Sequence, residues 1–184
     1  MTEVIDGILY ALKNEANVIN LSLGKQLSPY VATLPDSEQE RLIQTIGKDE
    51  EEFWKELFAI ADNQNTTIVM AAGNEGCMSG IDPMQRHKNC IIVGALNKQK
   101  ELTSFSNFGR YNTVNAPGEQ VVSAVPGNNY LPYDGTSMAA PIVSGAIALY
   151  KSIYPNADNA TIKNKLITTA DTERGIDIVR LLKD

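Results

Sequence analysis

One histidine, two cysteines and no long apolar run are the main scarcities of this 184-residue sequence, and each closes off a class of function. A membrane-spanning helix needs about 20 consecutive apolar residues, and nothing here approaches that. The first residues, "MTEVIDGILYALKNEAN", carry the spacing of an amphipathic helix and not that of a signal peptide. Sixteen basic against 22 acidic residues give a formal charge of -6 with no basic patch, which argues against nucleic acid or an anionic membrane as principal partner. Cys77 and Cys90 form no CxxC and have no clustered histidine beside them, so no metal site is expected. In an oxidising compartment the two would close a loop as a disulfide; otherwise they are free thiols, one in a loop and one at a strand start.

What is present is an ordinary globular composition, 43% apolar, of a size suited to one domain. Helix and strand patterns alternate: a helix near 2 to 15, a strand "NVINLSLG" at 17 to 24, a strand "TTIVMAAGNEG" at 66 to 76, then strands at 90 to 96, 113 to 118 and 120 to 125. The short, almost continuously apolar runs ending in Gly24 and Gly73 suit parallel strands covered on both faces, hence an α/β fold. Between the first two strands, two helices are expected. Ser37 or Asp36 caps the first, with Glu40 completing a capping box, and Phe53, Leu57 and Ile60 form the apolar stripe of the second, widened by Trp54 and Phe58. The acidic run from Asp49 to Glu52 suits a helix start and needs no metal to explain it.

The chemistry-bearing stretch is "GTSMAAP", residues 135 to 141. Apolar Ala139, Ile142, Val143, Ala146, Ile147, Leu149 and Tyr150 predict a buried helix over 137 to 154, with Pro141 tolerated because it stands in an early turn. Ser137 then sits at a helix N-terminus, where unpaired amides favour negative charge. A serine hydroxyl is a weak nucleophile without a base, an orienting group and donors for the oxyanion.

At this point "GTSMAAPIVSGAIALY" resembles the nucleophile motif of the subtilisin-like serine proteases, the subtilases. "IVMAAGNEG" is similar to that family's oxyanion-hole strand and "NVINLSLG" to its substrate-binding strand. "IIVGALNKQKELTSFSNFG" and "VNAPGEQVVSAV" follow in the family's order, and "LITTADTERGIDIVRLL" looks like its closing strand and helix. The resemblance implies a three-layer α/β/α sandwich with a mostly parallel sheet. It implies Ser137 as nucleophile, the Asn74 side-chain amide and the Ser137 backbone N–H as oxyanion donors, and a polypeptide substrate. Ser22, Leu23 and Gly24 would pair with an extended peptide, while Ala71, Ala72, Gly73 and Thr136 would line the substrate pocket. Calcium binding and an extracytoplasmic or secreted location are implied by the resemblance alone.

The family's triad runs Asp, His, Ser along the chain. No Asp-Ser-Gly or Asp-Thr-Gly follows an early strand here, and no His-Gly-Thr-His segment occurs. His87, in "MQRHKNCIIVGAL", falls far from the family's catalytic-histidine position and reads as a solvated loop residue, and Lys151 stands too far from Ser137 to serve as a lysine base. The sequence therefore resembles the C-terminal part of a subtilase domain over 1 to 184, lacking the N-terminal strands and carrying a helical insertion at about 25 to 64 that borders the peptide cleft. Its first strand is expected to miss a neighbour on one side, so that a separate N-terminal segment or self-association would cover the edge. Two functions follow: the nucleophile-bearing part of a serine endopeptidase, inactive by itself, or a non-catalytic peptide-binding remnant.

Overall fold

The computed structural model describes residues 2–183. Four strands, β1 (Val18–Leu21), β2 (Thr67–Ala71), β3 (Ile91–Leu96) and β4 (Asn112–Pro117), form a wholly parallel sheet in the order β1-β2-β3-β4. Side chains alternate across each strand, so one face of β2 carries Ile68, Met70 and Ala72 and the other Val69 and Ala71. The first face packs under α1 (Thr2–Lys13) and α3 (Lys48–Asn63) through Ile8, Leu12, Trp54, Leu57 and Phe58. The second packs under α4 (Thr136–Ile153), α5 (Asn159–Thr169) and α6 (Ile178–Leu181) through Val143, Ile147, Ile162, Leu166 and Leu181. The expected three-layer α/β/α arrangement results, with the parallel strands buried on both faces.

Several local expectations are corrected. The apolar stripe of α3 is Trp54, Leu57, Phe58 and Ala61, whereas Phe53 and Ile60 are exposed. That set follows the i, i+3, i+4, i+7 spacing that keeps residues on one helix face. No capping box opens α2 (Asp36–Thr45): Pro35 occupies the cap position without a side-chain bond, and Glu40 pairs with Arg110 at 2.7 Å. Leu149 of α4 is exposed, while Lys151 is buried on the packed face. Residues 120–125 do not extend the main sheet. β5 (Val121–Val125) pairs antiparallel with β6 (Asn129–Tyr133) as a separate hairpin, turned by Pro126, Gly127 and Asn128 with the last two at positive φ. In the tail, the closing strand is reduced to one bridge between Asn115 and Gly175.

Strand β1 is an edge of the sheet, paired only with β2 among the described residues. Cys77 and Cys90 are free and buried in two different apolar clusters, so the loop-closing disulfide is not formed. His87 is not a solvated residue: its side chain is 8% exposed, edge-on to Phe58. Its imidazole is pushed below the ordinary range, chiefly by burial, against the attraction of Asp62. No helix among the described residues is long and apolar enough to cross a membrane.

Candidate active site

In a parallel sheet, the loops leaving the C-terminal ends of the strands converge on one edge, and ligands bind there. Leu23 and Gly24 follow β1, Ala72 to Glu75 follow β2, and Thr136 and Ser137 open α4 against them. Together they enclose one cleft: Leu23, Gly24 and Lys25 on one side, Ala71 to Glu75 on the other, and Met78, Asp82 and Gln85 between. The sequence-designated residues Ser137, Asn74, Leu23, Gly24, Ala71, Ala72, Gly73 and Thr136 all line it. Of the insertion, only the segment directly after Gly24 reaches this cleft; α3 borders a separate hollow through Glu50 and Trp54.

Asn74 is exposed, but its amide is fixed from behind. Its Oδ1 accepts from the Thr136 backbone N–H at 2.8 Å and from the Thr136 hydroxyl at 3.0 Å. The hydroxyl in turn accepts from the Gly73 N–H at 3.1 Å. Two donors on one atom decide which end of the amide is oxygen, and they leave Nδ2, with no protein partner among the described residues, as the outward donor. Thr136 itself is fully buried, and its backbone N–H and hydroxyl hold Asn74 in place. Gly73 is obligatory: at φ 106 a Cβ would stand 2.3 Å from Asn107 Nδ2. Gly135, at φ 147, admits the sharp turn into α4.

Ser137 occupies the second position of α4, where a backbone N–H has no acceptor within the helix. Pro141, four residues on, has no N–H for the Ser137 carbonyl. The Ser22 hydroxyl supplies the missing donor at 2.9 Å. Ser22 accepts in turn from Asn20 Nδ2 at 2.9 Å, and Asn20 Oδ1 accepts from the Ser144 hydroxyl at 2.8 Å. Ser22 is exposed and stands beside Ser137, joined to it by the hydrogen bond to its carbonyl. Among the described residues the Ser137 hydroxyl has one weak neighbour, the Ser22 carbonyl at 3.5 Å, and no base. His87 lines a different cavity.

Two amide side chains that the sequence left unassigned shape the cleft wall. Gln85 Nε2 donates to the carbonyls of Ala71 and Ala72, at 3.1 and 3.0 Å. Asn107 Nδ2 donates to the Ala72 carbonyl and to Glu75, while its Oδ1 accepts from the N–H groups of Glu75 and Cys77. The only advance signal for Asn107 was its place in "SFSNFG", a segment with no chemistry of its own.

The family model for the subtilases matches residues 1–180. The chain belongs to the subtilase family. It is 35% identical over 175 residues to a thermophilic serine proteinase of Bacillus sp. strain AK1, covering 95% of this chain and 37% of that protein. To a subtilisin of Bacillus pumilus it is 33% identical over 171 residues, 91% of this chain and 54% of the relative. Among solved structures, a protease of Pseudoalteromonas arctica superposes with a TM-score of 0.77 at 25% identity, over 97% of this chain and 57% of that one. The prenylagaramide maturation protease gives 0.75 at 24% identity and shares the fold. This subtilase chain thus spans roughly a third to a half of the curated relatives it matches. Among its described residues no group of three or more His, Cys, Asp or Glu is placed to hold a metal ion.

Proposed function

We propose that this chain carries the nucleophile and the oxyanion donor of a subtilase endopeptidase whose Asp and His are supplied by a separate segment. The observation that carries the reading is the Thr136–Asn74 lock, which aims an unpaired amide donor out beside a serine at a helix N-terminus. In the assembled site the Ser137 hydroxyl oxygen attacks the peptide carbonyl carbon and its proton passes to the supplied imidazole. The carbonyl oxygen becomes an oxyanion that accepts from Asn74 Nδ2 and the Ser137 N–H. Collapse expels the amine, which takes the proton from the imidazole, and water then hydrolyses the acyl-enzyme.

The open edge of β1 supports a partner segment, as do apolar side chains left exposed on α1 (Leu9, Tyr10), α4 (Leu149, Ile153) and the hairpin (Val122, Tyr130, Leu131, Tyr133). Self-association is the other way to cover them. Export from the cytoplasm belongs to the same proposal, by kinship alone. The second reading, a peptide-binding remnant, draws on the Ser137 hydroxyl having no base. A fluorophosphonate probe separates the two. Labelling of Ser137 only after the coding sequence upstream is co-expressed supports the divided protease. No labelling in either sample overturns it in favour of the remnant.

A further inference from the structure

A second cavity, of about 260 Å³, opens at the opposite end of the sheet. The Ser137 cleft gathers around the C-terminal ends of β1 and β2. This cavity lies among residues that precede β3 and begin β4, joined by side chains from α5 and from the turn before α6. Apart from a tyrosine, every ionisable side chain lining it is basic: Arg86, His87, Lys88, Arg110, Lys163 and Arg174. In a chain of net charge -6 that is a local reversal of sign.

Two of these cations are already balanced, Arg86 by Glu51 at 2.8 Å and Arg110 by Glu40 at 2.7 Å. Lys88, Lys163 and Arg174 have no carboxylate within ion-pair distance among the described residues. Lys163 is half-buried, and its ammonium donates to the carbonyls of Lys88 and Cys90, each at 2.8 Å. An ammonium carries three N–H groups, so one remains. Arg174 donates one N–H to the Asn112 carbonyl at 2.8 Å and keeps the others free. It is held there by two successive left-handed residues, Glu173 at φ 59 and Arg174 at φ 53, an arrangement that non-glycine residues adopt at a cost and that clusters at functional sites. Lys163 is half-buried while Lys88 and Arg174 are exposed, so what an anion relieves here is the mutual repulsion of three unbalanced charges lining one cavity.

We propose that this cavity binds a tetrahedral oxyanion of the phosphate class, held by the Lys163 ammonium and the Arg174 guanidinium with Lys88 at the rim. Three unbalanced cations call for more than one negative charge. Their donors arrive from three separate elements, which suits an ion with acceptors in every direction better than a flat carboxylate. Arg in particular matches phosphate oxygens. The bound ion would tie α5, the loop before β3 and the turn at 172–175 together, in a cavity that shares Gln85 with the Ser137 cleft.

The only histidine in the sequence, His87, lines this cavity and serves as the reporter. The charges facing it are Asp62 and Lys55 of α3, its neighbour Lys88, and Lys163 of α5. At fixed pH, the imidazole proton resonance is followed while inorganic phosphate, O-phosphoserine or chloride is added at constant ionic strength. A saturable shift with phosphate, absent with chloride, is expected. Saturation by O-phosphoserine as well indicates a phosphomonoester ligand, and saturation by phosphate alone indicates the free ion. In Lys163→Met and Arg174→Gln binding should weaken about tenfold or more, the factor for losing a charge-assisted hydrogen bond. Because Lys163 also braces a loop, Lys88→Gln, whose side chain makes no hydrogen bond in the structure, is the variant that spares the fold, and it should weaken binding as well. A shift that never saturates, or one that saturates equally in all three variants, overturns the site.

Discussion

The Ser22 hydroxyl stands 2.9 Å from the carbonyl of Ser137, bridging 115 positions of sequence to fill the gap that Pro141 leaves in the first turns of α4. This relationship predicts a coupling. Ser22→Ala should destabilise the chain by about 1 kcal/mol, the usual worth of one hydrogen bond. In a Pro141→Ala background the new N–H reaches the Ser137 carbonyl by itself, and the Ser22→Ala penalty should fall close to zero. Urea unfolding of the four members of the cycle measures it. Equal penalties in both backgrounds would mean that Ser22 and Pro141 act independently.

The Asn74 lock predicts graded kinetic losses in the assembled enzyme. Asn74→Ala removes the donor and should lower kcat about 10²–10³-fold, the range known for such a donor in subtilisin, with KM little changed. Thr136→Val keeps the buried shape and the backbone bond but loses the hydroxyl, so the amide is held by one donor instead of two. A fall of about tenfold in kcat is expected, and the double variant should be no worse than Asn74→Ala alone, since both changes act through one amide. Additive losses would show that Thr136 acts by another route.

That these residues share one cleft was legible in the sequence because they sit in two contiguous motifs, "AAGNEG" and "GTSMAAP", whose glycines and small side chains have local causes. Strand existence was legible for the same reason: Ile68 to Ala72 and Ile91 to Val93 are continuous apolar runs. Roles that depend on distant partners were not. The function of Thr136 depends on Asn74, 62 positions away, and that of Asn107 on the backbone of residues 72 to 77. Of the hairpin the sequence showed only the strand at 120 to 125; Asn129 to Tyr133 lacks the apolar alternation of a packed strand, and its side chains are exposed. His87 was misread because its cover comes from Phe58 of α3, which the sequence placed on the apolar stripe without showing which loop it packs against.

The two cysteines should behave as inert structural thiols. Cys77 is fully buried, and burial, with the nearby Glu75 carboxylate, pushes its thiol up to about 11; burial pushes Cys90 up as well. Reaction with a thiol reagent requires the thiolate and access. The folded chain should therefore titrate near zero thiols at neutral pH and two in denaturant. Fast reaction of either cysteine in the native state would place it in an open segment.

The insertion is fastened to the cleft loop by one buried ion pair, and its pH dependence has a definite sign. Arg86, with a side chain 1% exposed, reaches Glu51 of α3 at 2.8 Å and also donates to the carbonyls of Gly80, Ile46 and Ile81. Burial alone would raise the Glu51 carboxyl, but hydrogen bonds from Arg86, Lys55 and Lys48 outweigh it and hold the group at about 2, below its ordinary 4.5. A lowered folded-state value means that the stabilisation is complete above about 4.5 and disappears as pH falls through about 2. Glu51→Gln strands the Arg86 charge and should cost about 3 kcal/mol at pH 7. Denaturation of both proteins across pH checks this: the gap between them should be constant from pH 7 down to about 4.5 and close toward pH 2. A gap that widens with acid would mean that Glu51 is not the group holding the insertion in place.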